Sequence, residues 1–188
     1  MESAIKVNLG CGHKKLEGYL NVDCDASLSP DLVCDISKGL PFEDRSVERV
    51  VCEQVLEHIS DYKYLISEIH RVLKFGGSVK FTVPHKDCLA AYGDPDHVRH
   101  FVMETFMHYG DPRWFQPCNF SGQGMFDLVD GAIIKWKNAD EDASLAGKYF
   151  TEIMVEMIRV KKSYWVDREK KEFKYNIFIL NREDAGKL

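Results

Sequence analysis

No apolar run in these 188 residues approaches the roughly 20 needed to cross a bilayer as a helix. The opening Met1-Glu2-Ser3-Ala4 has no basic segment leading into an apolar core, so no secretory signal is expected there. Six cysteines are present (Cys11, Cys24, Cys34, Cys52, Cys88 and Cys118), but no Cys-x-x-Cys pair. Several lie inside apolar runs, so reduced thiols in a cytoplasmic protein are expected. Excess positive charge is missing too. A net charge of −5 excludes a general attraction to nucleic acid or anionic membrane, though not a local basic patch. The chain contains no internal repeat and no low-complexity segment. What remains is an ordinary globular composition, 45% hydrophobic, of a length that suits one domain.

Short apolar runs alternate with turn signals through the first half. The pattern predicts strands over 5–9, 19–22, 31–35, 47–52 and 78–83, with a polar turn at 41–46. Ser60 and Asp61 offer caps for a helix whose apolar residues Tyr64, Leu65, Ile69, Val72 and Leu73 recur at helical spacing. Gly76-Gly77 is expected to stop that helix, and Pro84 to end the strand after it. Strands alternating with helical or irregular connections predict an α/β fold, a Rossmann-like mostly parallel sheet with helices on both faces.

The texture changes after His85. Residues 86–140 are rich in aromatics, glycine, proline and histidine, and read as a cap with one helix near 103–109. Asp140-Glu141-Asp142 reads as a helix start. Segments 151–166 and 173–181 flank the charged turn "DREKKE" and read as a long antiparallel β-hairpin, with a helix over 151–159 as the alternative. The expected organisation is a single domain: cofactor core 1–85, cap 86–140, and a C-terminal helix and hairpin over 141–188.

Two glycines, Gly10 and Gly12, stand where the first strand would end, in "VNLGCG". Without Cβ they permit positive φ and a close ligand. The next strand ends in "NVDCD", and an acid there can accept both hydroxyls of a ribose. The interval from Gly12 to Asp23 is 11 residues, against about 20 in a dinucleotide fold. Lys15 also stands where a third glycine would complete GxGxxG. The expected ligand therefore has a ribose but no pyrophosphate.

With "VNLGCG", "NVDCD", "VCDISKGLPFEDRSVERVVCEQVLEHI", "EIHRVLKFGG" and "VKFTVP" in register over about 5–84, the chain resembles the class I S-adenosylmethionine-dependent methyltransferases, most nearly the group labelled type 11. The resemblance implies S-adenosylmethionine as cofactor. It implies that Gly10 and Gly12, with Leu9 and Cys11, line the methionine part, and that Asp23 takes the ribose hydroxyls, with Asp25 as the alternative. Asp35 and Ile36 would meet the adenine, and Glu53 and Gln54 would form the floor below the sulfonium. Asn8 stands where many relatives carry an acid near the cofactor's amino end, and Phe75 replaces the proline of the usual turn.

Methyl transfer from a sulfonium needs a protein base only when the nucleophile must lose a proton. His85 and His58, at the carboxyl ends of predicted strands, are the candidates, His85 the stronger. His85-x-x-Cys88 and His97-x-x-His100 have zinc-like ligand types, but their spacing matches no usual finger, so no metal is expected. The aromatics Tyr92, Phe101, Phe106, Tyr109, Trp114, Phe115, Phe120 and Phe126 suit either packing of the cap or a flat acceptor. "CNFSGQG", 118–124, reads as a lid segment. Late basic residues from Arg159 to Lys171 read as a solvated hairpin, with a nucleic-acid or homodimer contact as the weaker reading.

The reading as a whole is an enzyme transferring a methyl group to oxygen or nitrogen of a small-molecule or sugar-like acceptor, with no membrane and no nucleic-acid partner. A non-catalytic cofactor-binding partner subunit and a nicotinamide-dependent oxidoreductase are the rivals.

Overall fold

A computed structural model describes residues 5–110, 126–137, 149–159 and 176–180. Strands β1 (Ile5–Leu9), β2 (Leu20–Asp23), β3 (Leu32–Val33), β4 (Val47–Glu53) and β5 (Leu73–Pro84) run parallel. Later come β6 (Phe126–Lys137), β7 (Tyr149–Arg159) and β8 (Asn176–Leu180). Together they form one sheet in the order β3-β2-β1-β4-β5-β7-β6-β8. The expected α/β sheet is thus present and mostly parallel; β7 is antiparallel to both β5 and β6.

Buried residues on the central strands explain their place. Val7, Leu9, Val22, Val50, Cys52, Val79, Phe81 and Val83 alternate along their strands, lie opposite one another across the sheet and join one apolar cluster on a single face. Helix α1 (Tyr62–Val72) begins where the Asp61 carboxylate accepts the Tyr64 amide at 3.0 Å. Its Leu65, Ile66, Ile69 and Val72 face that core at helical spacing. The helix yields at Leu73 directly to β5, ahead of the glycine pair expected to stop it.

A clasp secures the loop before β4. The Arg71 guanidinium donates to the carbonyls of Leu40 and Phe42, at 2.9 Å each, and to the carboxylates of Asp44 and Glu68. Glu68 in turn accepts the Leu40 amide at 3.0 Å.

Helices α2 (Ala90–Gly93) and α3 (Met103–Gly110) follow β5. Phe101, Phe106 and Tyr109 are buried, and Phe106 lies against Phe81 and Phe101 with ring centroids 5.8 Å apart in each pair. These aromatics pack the chain onto the sheet; Tyr92 is exposed and lies 4.1 Å from the His100 ring.

Two expectations need correction. Part of the stretch read as cap, residues 126–137, is β6 of the sheet. The C-terminal antiparallel hairpin is made by β6 and β7, whereas the segment read as the second arm contains β8, which joins β6 in parallel. Residues 149–159 are strand, not helix. The helix start at 140–142, the lid segment 118–124 and the basic turn 167–172 lie outside the described residues.

Candidate active site

Chain order reverses between β1 and β4, so loops at their carboxyl ends splay apart and leave a crevice. Gly10 and Gly12 lie there, both left-handed, with φ of 62° and 50°. A Cβ on Gly10 would stand 2.4 Å from Val55 Cγ2, so the strand-to-loop bend has no room for a side chain. A Cβ on Gly12 would meet nothing within 4 Å: the space beside it is open. That pairing of a crowded glycine with an open one is what a backbone cradle for a ligand requires.

Asp23 closes the crevice from the neighbouring strand. Its Oδ2 accepts the Gly12 amide at 2.8 Å and its Oδ1 accepts the Asp25 amide at 3.0 Å. The Asp25 carboxylate faces its own turn, accepting the Ser27 amide at 2.8 Å as the cap of a short 3-10 helix over 26–28. Between β1 and β2 the chain makes turns only, so no helix N-terminus faces the crevice from this connection.

A polar core holds that helix-free crossover. Asn21 is buried and accepts the Leu16 amide at 2.8 Å, while its amide group donates to the Tyr19 carbonyl and the Asp31 carboxylate. Asn8, also buried, donates to Asn21 Oδ1 at 3.0 Å and to the Lys14 carbonyl at 2.9 Å. No pattern in the sequence singles out Asn21 for this role.

Asp35 caps a second 3-10 helix, over 36–38, through the Ser37 amide and hydroxyl and pairs with Lys38 at 2.9 Å. The Ser37 hydroxyl, with Lys38, holds its carboxyl down at about 2. Ile36 beside it is buried. At the end of β4, Glu53 pairs with Lys14 and lies 3.9 Å from Lys80. Gln54 has a left-handed φ of 55°, rare for a side chain of its kind, and its amide donates to the Thr82 carbonyl at 2.7 Å.

Gln54 and Pro84 form the inner wall of an open cleft of about 560 Å³ whose outer wall runs from Ala90 to His97. His58 is exposed, its Nδ1 3.3 Å from the Asp96 carbonyl on that wall. His85 does not line the cleft; its Nδ1 accepts the Asp87 amide at 3.2 Å. The structure places neither His58 nor His85 among the residues that line this cleft. It adds Glu57, which is fully buried: burial pushes its carboxyl up to about 7.

A family model described as "Methyltransferase domain" matches residues 8–81. The uncharacterized protein MJ0638 of Methanocaldococcus jannaschii is 27% identical over 138 residues, 68% of this chain. The match spans 60% of that protein's length. Among solved structures, a S-adenosylmethionine-dependent methyltransferase of Thermotoga maritima, described as a possible histamine N-methyltransferase, superposes with a TM-score of 0.60 at 12% identity, covering 85% of this chain and 84% of that one. A S-adenosylmethionine-dependent methyltransferase of Methanosarcina mazei gives 0.58 at 14% identity, covering 85% and 94%. The strand order and the glycine bend latched to the acid of the next strand agree with these matches: residues 8–81 match a methyltransferase domain, and the chain shares the fold of S-adenosylmethionine-dependent methyltransferases.

Proposed function

We propose that this protein transfers the methyl group of S-adenosylmethionine to an oxygen or nitrogen of a small-molecule acceptor. The observation that carries the reading is the latch between Gly12 and Asp23 beside open space. When bound, S-adenosylmethionine supplies both the activated methyl group and its own leaving group.

The protein's part is to hold and orient. Leu9, Gly10, Cys11 and Gly12 offer backbone to the methionine end, with Asn8 fixing the loop from behind. Asp23, its position set by two backbone amides, keeps further lone pairs for the ribose hydroxyls. Asp25 is the weaker choice because its carboxylate already serves Ser27. Asp35 and Ile36 flank the adenine end. Glu53 and Gln54 form the floor, and the left-handed turn at Gln54 brings it to the cleft wall where an acceptor would sit. The helix-free crossover after β1 disfavours a pyrophosphate-containing nicotinamide cofactor.

Titration calorimetry with S-adenosylmethionine, and a screen of amines, phenols and carboxylates for release of S-adenosylhomocysteine, test this reading. Binding with turnover on one acceptor class is expected. Binding without turnover across the screen would favour a non-catalytic subunit, and no binding would refute the proposal.

A further inference from the structure

Glu57, His58 and His97 present one ligand atom each within 4.8 Å of one another. Glu57 is 1% exposed, and neither carboxylate oxygen has a hydrogen-bond partner among the described residues. A buried carboxylate left this way is destabilising in its charged form unless something cationic answers it.

The two imidazoles are arranged to supply that answer. His58 Nδ1 lies 3.3 Å from the Asp96 carbonyl and His97 Nδ1 lies 3.2 Å from the Ala91 carbonyl. A carbonyl can only accept, so each Nδ1 carries a proton, and in the neutral ring each Nε2 offers a lone pair. Backbone carbonyls on the far ring nitrogen are the usual orienting partners of metal-bound histidines. The rings meet edge to face, 4.7 Å between centroids. A second carboxylate stands near: Asp94 Oδ2 is 3.8 Å from His97 Nε2.

Two imidazole nitrogens and a dry carboxylate form the donor set of a zinc-like ion. Ligands on one tetrahedral zinc stand about 3.4 Å apart, so the widest pair need close by no more than about 1.4 Å to share it. We propose that Glu57, His58 and His97 bind one divalent transition ion, zinc by preference, on the wall of the cleft. His97 itself lines that cleft, so the ion would present its open position to whatever occupies it. Neither of the zinc-like pairs noted in the sequence forms this cluster: His97 joins His58, not His100, and His100 stacks on Tyr92. The inference does not depend on methyl transfer.

The full chain, stripped with chelator and dialysed, is titrated with zinc chloride alone by calorimetry, and cobalt(II) replaces zinc for visible spectroscopy. One equivalent per chain is expected, with the intense d–d bands of a low-coordinate cobalt site. His97→Ala and Glu57→Gln should each weaken zinc binding at least about tenfold, a loss already seen for mere orienting partners. His58→Ala, at an exposed position, gives the same reading if the buried Glu57 variant does not fold. Weakening by these variants but not by His100→Ala or Cys88→Ser supports the site. No saturable zinc binding, or binding indifferent to His58→Ala and His97→Ala, would overturn it.

Discussion

Asn8 donates to the side-chain oxygen of Asn21 across 3.0 Å, and the direction of that bond is forced. The Leu16 backbone amide, which can only donate, meets the same Asn21 oxygen. Asn8 must therefore be the donor, which explains an amide where the resemblance leads one to expect an acid. Asn8→Asp should lower unfolding stability by about 1–3 kcal/mol, because two inward-facing donors become acceptors. Urea denaturation should show a lower midpoint with an unchanged slope.

Asp23 and Asp25 should separate cleanly. Asp23→Ala is expected to weaken S-adenosylmethionine binding by roughly 1.5–3 kcal/mol, through the lost charge-assisted bonds. Asp25→Ala removes only a turn cap and should leave affinity within error. Calorimetry and thermal melting on both variants check the pair; equal affinity losses would undo the assignment.

The two loop glycines should fail in different ways. Gly10→Ala places a methyl group against Val55 in a left-handed backbone, so a large drop in melting temperature is expected. Gly12→Ala meets only the left-handed strain, about 1–2 kcal/mol. Its added methyl would occupy the open side of the loop, so cofactor affinity should fall further than stability does.

Acid should loosen the Arg71 clasp. Hydrogen bonds from Arg71 hold the Glu68 carboxyl below its ordinary value of 4.5. A depressed carboxyl contributes stability that is complete above the unfolded value and is lost as pH falls through the folded one. Melting temperature should therefore fall below about pH 4.5 more steeply in the native chain than in Glu68→Gln. Arg71→Ala, which strands two carbonyls and a half-shielded carboxylate, should cost about 2–4 kcal/mol at neutral pH.

Local signals made the core of this fold legible. The alternation in β1 and β4 and the helical spacing in α1 are written in adjacent residues, and their bounds agree to within a few positions. Pairing partners are not written locally. The apolar residues of β6 lie in a stretch dominated by aromatics and loop formers, while "DREKKE" has every mark of a tight turn. The strand that actually neighbours β7 was therefore missed. The meeting of Gly12 and Asp23 was readable because the interval between them is too short for a full helix. Glu57 was not: nothing in "VLEHI" says that its carboxylate is shut away from water, or that its neighbour His97 arrives from 40 positions further along the chain.

Insertion of β7 between β5 and β6 bears on how the chain is made. A ribosome releases β5 long before its antiparallel neighbour exists, so the nascent half-sheet carries a row of bare amides and carbonyls along one flank. Such an edge invites pairing with other strands until residues 149–159 emerge to seal it. Chaperone demand during synthesis should therefore peak while residues 149–159 are still missing.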